Sequence, residues 1–198
     1  MQRIGLYGGT FNPVHKGHLL LAQQVFTALK LDRLLFIPAA FPPHKKASVN
    51  FHHRCAMLEQ AVDTTQFDIS NIEEKLPQPS YTFHTLRHFH QEYPDSELWW
   101  LMGEDALQDL YRWYRVENYY RYTRLAVVSR PGYPRTPIAT LQKHHPKLWS
   151  KIDRIESQLP DVSSSSLRSA LQNNPAQCPE HLPLKVYAYI REHGLYTN

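Results

Sequence analysis

Hydrophobic positions change period several times along the chain, and each change predicts an element. Residues 3–7 form a short apolar run ending at Gly8-Gly9, the pattern of a buried strand followed by a turn. From His18 the apolar positions Leu19, Ala22, Phe26 and Leu29 recur at three- and four-residue steps, which predicts an amphipathic helix. Residues 34–37 then read as a second buried strand stopped by Pro38. Strand, helix and strand in this order make a right-handed βαβ unit.

The alternation continues downstream. Consecutive prolines at 42 and 43 predict a loop. Residues 51–62 read as a helix, 67–72 as a strand, and 81–92 as a helix with Ser80 as its N-terminal cap. Strands are expected at 97–102 and 125–129, with a weaker one at 151–156. Residues 163–171 and 184–193 close the series as helices, the last stopped by Gly194. Residues 131–146 carry the weakest pattern and are expected to be a mobile excursion. Repeated strand–helix alternation predicts an α/β fold with a doubly wound parallel sheet, Rossmann-like in kind. No Gly/Ser-rich linker divides the chain, so residues 1–198 are expected to form one domain, with a helical part from about 160 to 198.

Composition narrows the classes. With 42% hydrophobic and 20% charged residues among 198, the chain is globular rather than disordered. No apolar run approaches the roughly 20 residues that span a bilayer, and the N-terminus does not read as a signal peptide. The two cysteines, Cys55 and Cys178, lack metal or disulfide-framework spacing, which fits a cytoplasmic setting. At a net charge of +4 no Lys/Arg block is dense enough to read as a nucleic-acid stripe, and no nucleic-acid partner is expected; a small anionic substrate would also suit this balance, so charge alone decides nothing. The 7 glycines are scarce, and Gly5, Gly8, Gly9 and Gly17 crowd the first 17 residues.

Candidate chemistry therefore starts at residues 8–18, G-G-T-F-N-P-V-H-K-G-H. After the first strand, this loop falls at the carboxyl edge of the sheet, where open α/β folds bind ligands. Paired glycines let the backbone approach a ligand, and the helix starting near Gly17 directs its positive end to the same place. His15 and His18, three apart, could both face one anion from a single helical turn. A tight turn that merely contains two histidines is the plainer alternative. A second element, V-S-S-S-S-L-R at 162–168, offers hydroxyls at a helix start and the forked donors of Arg168, although serine runs are commonly just loops. Asp105, two residues past Gly103, could accept a ribose or simply sit as a charge in a helix's first turn. Trp113 could stack on an electron-poor ring or be core. His84 and His88 have metal-compatible spacing but no acidic or cysteine partner in sequence.

The 8–18 stretch resembles the G-G-T-F-D-P-x-H-x-G-H signature of the nucleotidyltransferase superfamily, with Asn12 where the signature has Asp. The serine run is similar to that superfamily's I-S-S-T-x-I-R element. S-Y-T-F-H-T-L at 80–86, G-E-D-A-L at 103–107 with Trp113-Tyr114, P-P-H-K at 42–45, R-P-G-Y at 130–133 and the ending G-L-Y at 194–196 resemble nicotinate-nucleotide adenylyltransferases. The resemblance implies transfer of the adenylyl group of ATP, with Mg²⁺, to nicotinate mononucleotide. It implies catalytic roles for His15, His18, Lys45 and Arg168, and ATP binding by Gly8, Gly9, Thr10, Phe11, Gly17, Gly103, Asp105, Ser164, Ser165 and Arg168. Nicotinate mononucleotide would be held by Thr85, Trp113, Tyr114 and Arg130. The alternatives are nicotinamide mononucleotide or phosphopantetheine as acceptor, or a nucleotide-binding module without turnover. A resident metal centre is not expected, and the oligomeric state is open.

Overall fold

The structure is a computed structural model describing residues 1–43, 47–129 and 139–197. Among these residues the strands are β1 (Arg3–Gly9), β2 (Arg33–Pro38), β3 (Asp68–Ile69), β4 (Glu97–Gly103), β5 (Arg124–Ser129) and β6 (Ile152–Glu156). All pair in parallel in the order β3-β2-β1-β4-β5-β6. The chain thus winds outward from β1 in one direction and returns to begin again at β4. The carboxyl ends of β1 and β4 flank the switch point, where such sheets open a crevice for ligands.

Alternation along each strand sends side chains into two apolar layers. Phe36, Trp99, Leu101, Ala126 and Val128 face one layer, while Ile4, Leu6, Leu35, Trp100 and Val127 face the other. Helices α1 (Lys16–Ala28), α2 (Phe51–Ala61), α7 (Ser164–Asn173) and α8 (Leu184–Glu192) bury Val25, Leu58, Leu167 and Val186 against the first. Helix α3 (Thr82–Glu92) and the short α4 (Glu104–Asp109), α5 (Ala139–His144) and α6 (Pro146–Trp149) cover the second through Leu86, Leu107, Leu141 and Leu148. Both faces are covered, as the nearly continuous apolar strands require. At the opposite edge of the sheet, Asp153 accepts a fork from Arg124 at 2.7 and 2.8 Å and the Trp99 indole N–H at 2.8 Å.

Four local expectations change. β1 runs on through Gly8 and Gly9, which pair with Ile37 and Pro38, instead of turning at them. The run at 67–72 yields only two strand residues before a 3₁₀ turn at Ile72–Glu74, because β3 is an edge strand with β2 as its one neighbour. Ser80 does not cap α3; Tyr81 occupies that position, and the Ser80 hydroxyl accepts the Phe41 N–H at 2.9 Å. Of the weakly patterned 131–146 stretch, residues 131–138 lie outside the described residues, while Ala139–His144 is helical and buries Leu141. Helix α8 ends as expected. Gly194 has φ +58°, with Gly194 N–H donating to Arg191 O and Leu195 N–H to Ile190 O, a Schellman closure.

Candidate active site

A cleft of about 630 Å³ opens at the switch point. Its walls are the loop after β1, the starts of α1 and α7, and the start of α4 after Gly103. Thr10, Phe11, His15, Gly17, His18, Gly103, Asp105, Ser164, Ser165 and Arg168 all line it. The two motifs separated by some 150 positions in the sequence therefore meet in one place.

Gly17 is what lets them meet. A Cβ there would stand 3.0 Å from both His15 Nδ1 and Val162 Cγ1, so glycine lets the start of α1 lie this close to the lead-in of α7 without either side chain giving way. Two helix N-termini, each the partially positive end of its helix, then face a shared space. The glycines of β1 serve a different geometry. A Cβ on Gly8 would overlap the Trp100 ring, and one on Gly9 would approach the Phe11 ring to 2.8 Å. Packing, rather than a left-handed turn, fills the space these residues leave. The left-handed residue of the loop is Phe11, at φ +48°, whose ring is buried against Tyr7, His18 and Phe36. Leaving the right-handed regions costs an L-residue about 1–2 kcal/mol, which that burial offsets.

Side chains from elsewhere in the fold hold the loop's carbonyl groups. Thr10 O accepts from Arg54 Nη1 at 2.8 Å, Asn12 O from Arg168 Nη1 at 2.7 Å and Pro13 O from Ser164 Oγ at 2.9 Å. Oxygen atoms that would repel a phosphate are thus engaged by donors. Ser163 caps α7 by accepting the Ser166 N–H at 3.0 Å, and Ser165 Oγ accepts from Arg168 Nη2 at 3.1 Å. Arg168 spends two of its five N–H donors inside the protein.

The two imidazoles stack, centroids 3.6 Å apart and 23° between planes. His15 is buried, and burial, followed by nearby His181, lowers its pKa from 6.5 to about 4. Burial and the adjacent His15 also hold His18 well below its ordinary value. Both rings are neutral near pH 7. The His15 backbone N–H donates to His18 Nδ1 at 3.2 Å. That bond assigns the proton of neutral His18 to Nε2, leaving an N–H donor available to a ligand.

Across the cleft, Glu104 and Asp105 diverge. Glu104 is buried in a forked pair with Arg154 Nη1, at 2.8 and 3.0 Å, while Asp105 is exposed. The neighbouring carboxylate of Asp105, after burial, pushes the Tyr7 phenol up.

Other expected site residues lie apart from this cleft. The Thr85 side chain is buried, its hydroxyl donating to Glu73 Oε1 at 2.6 Å. Trp113 packs half-buried against the second apolar layer. Tyr114 stacks on Tyr81 at 4.5 Å, with the Arg115 guanidinium 5.2 Å over its ring. None of these three, nor Gly8 or Gly9, lines the cleft. Lys45 and Arg130 lie outside the described residues. A second cavity of about 820 Å³, lined by Phe41, Pro43, Phe51, Arg54 and Pro79, adjoins the first at Ala47.

Sequence reading missed Arg54, Glu104 and Arg154. Arg54 carried a signal, because it occupies the apolar stripe of α2 beside Met57 and Leu58. A charge in that stripe needs a buried partner, here the Thr10 carbonyl. His88, for which no metal was expected, pairs with Glu92 one turn on, at 3.0 Å.

The chain as a whole is similar to known proteins. A family model described as cytidylyltransferase-like matches residues 6–170. A protein of Roseiflexus sp. named probable nicotinate-nucleotide adenylyltransferase is 41% identical, covering 98% of this chain and 97% of its own. One of the same name from Clostridium tetani is 33% identical, over 99% and 100%. A solved structure of Plasmodium falciparum nicotinic acid mononucleotide adenylyltransferase complexed with NaAD superposes with a TM-score of 0.78 at 18% identity, covering 99% of this chain and 98% of that one. These full-length relatives place the chain among the nucleotidyltransferases. Within that class, the chain belongs to the nicotinate-nucleotide adenylyltransferase family.

Proposed function

We propose that this chain transfers the adenylyl group of ATP to nicotinate mononucleotide, yielding nicotinate adenine dinucleotide and pyrophosphate. An oxygen of the acceptor's phosphate bonds to the α-phosphorus while the bond from that phosphorus to the bridging oxygen of the β-phosphate breaks. The attacking group is already an anion, so no side chain has to remove a proton. The residues must align the two phosphates and stabilise charge on the departing pyrophosphate.

The observation that carries this reading is the neutral, stacked His15–His18 pair set where the N-termini of α1 and α7 converge. The His18 Nε2–H, the remaining N–H donors of Arg168 and the helix starts supply fixed positive potential at the place where charge accumulates. Thr10, Phe11, Gly17, Gly103, Ser164 and Ser165 line that space, Gly8 and Gly9 act beneath it by admitting the Trp100 and Phe11 rings, and Asp105 accepts the ribose hydroxyls of ATP. Thr85, Trp113, Tyr114 and Arg130 hold the nicotinate nucleotide, and Lys45 approaches the triphosphate. Residues 1–198 act as one domain, a reading supported by α7 and α8 sharing an apolar layer with α1 and α2.

The family works with a divalent metal and ATP. Among the described residues no group of three metal-ligating side chains exists. We take the divalent metal to be Mg²⁺, which neutralises phosphate charge when bound; the chain's own contribution is the N–H donors named above. Among the described residues no helix is long and apolar enough to cross a membrane.

Incubation with Mg-ATP and, separately, nicotinate mononucleotide, nicotinamide mononucleotide and phosphopantetheine tests the reading through pyrophosphate release. The expected outcome is rapid release with the nicotinate acceptor, slow release with the nicotinamide one and none with the third. Release only with another acceptor, or with none, overturns it.

A further inference from the structure

The phosphate loop is tied to the far end of the chain by a contact that no catalytic step requires. The Schellman closure at Gly194 turns the backbone out of α8, and the Thr197 hydroxyl donates back to Gly194 O at 2.8 Å. Between them, Tyr196 adopts a left-handed φ of +62° and drives its ring into the layer that α1, α7 and α8 share. That backbone is unfavourable for an L-residue, so the ring's position is strongly fixed. The Tyr196 hydroxyl is buried and donates to Asn12 Oδ1 at 2.8 Å. Asn12, itself 6% exposed, passes the connection on: its Nδ2 donates to Ser48 Oγ at 3.0 Å, and its carbonyl accepts from Arg168 Nη1.

We propose that Tyr196 is a positioning residue for ATP, acting through Asn12 to set the loop and, with it, the Arg168 side chain. This rests on the reading of the cleft as the ATP site. Asn12 lines that cleft, so its peptide cannot shift without moving the walls that meet the triphosphate. Burial pushes the Tyr196 phenol well above its ordinary value, which keeps the proton that it donates. With its amide, Asn12 accepts from Tyr196 while donating to Ser48. The Ser48 hydroxyl also lies within donating reach of Asn12 Oδ1, at 3.4 Å.

Tyr196→Phe deletes the hydroxyl and keeps the ring in the core. We expect KM for ATP to rise about tenfold, the effect of one lost buried hydrogen bond that leaves its partner unsatisfied. The dissociation constant of a non-hydrolysable ATP analogue, read by calorimetry, should rise by the same factor, while KM for the acceptor stays unchanged. Asn12→Ala breaks the contact from the loop side, and the Asn12→Ala, Tyr196→Phe double variant should lose no more than Asn12→Ala alone. Thr197→Ala, which removes a contact within the tail only, should bind the analogue as the parent does. A Tyr196→Phe protein with a lower melting temperature but unchanged analogue affinity overturns the proposal, as do additive losses in the double variant. Because analogue binding needs no turnover, a parent protein that binds it yet makes no dinucleotide would refute the proposed function and leave this test standing.

Discussion

At the scale of single residues, the cleft keeps its two stacked imidazoles neutral, chiefly by burying them. His15 titrates near 4 in the folded chain and at its ordinary 6.5 when unfolded. Between those values the unfolded state takes up more protons, so this group's contribution to stability is complete above pH 6.5. It is lost as pH falls toward 4, and amounts to roughly 3 kcal/mol. His18 acts in the same direction. His15→Gln should therefore melt with a distinctly shallower dependence on pH between 6.5 and 4 than the parent. An identical slope in a series of calorimetric melts would show that the buried imidazole is not responsible. The histidines were legible from their spacing, but their neutrality was not. It comes from Phe11, Tyr7 and His181, residues that only the fold gathers around them. Asn12 was visible as a departure from the signature, yet its partners Ser48 and Tyr196 lie 36 and 184 positions away.

At the scale of elements, the hydrophobic period located every strand of the described sheet and its principal helices, since each buries a face of the expected spacing. It failed where packing rather than periodicity decides. Edge strand β3 is short because β2 alone pairs with it, and α5 is held by Leu141 in a segment whose own pattern is weak. The junction of α1 with α7 could not be read from either motif, because the two histidines and the serine run meet only after six strands have assembled. Gly17→Ala tests that junction. Alanine favours a helix over glycine by about 1 kcal/mol, and relieving two contacts at 3.0 Å costs a similar amount. The melting temperature should thus change little while KM for ATP rises several-fold. Steady-state kinetics showing an unchanged KM would mean that the spacing of the two helix starts does not govern the triphosphate.

At the scale of the whole molecule, the parallel sheet sets its switch point between β1 and β4, and the His15–His18 turn, the start of α7 and Arg168 gather there. Positive helix ends and N–H donors face the cleft from one side, and the exposed carboxylate of Asp105 from the other. The residues expected for the nicotinate ring stand apart, around α3 and Trp113. That these residues form a separate set was an expectation carried by family resemblance, whereas their distance from the cleft was not legible, because motifs along a chain carry no distances. The most direct test of adenylyl transfer at this cleft is the rate of dinucleotide formation from ATP and nicotinate mononucleotide, compared between the parent and a folded His18→Ala. Loss of one preorganised donor should lower kcat by roughly 10²–10³. A parent that forms no dinucleotide, or a variant that forms it at the parent's rate, would contradict the account.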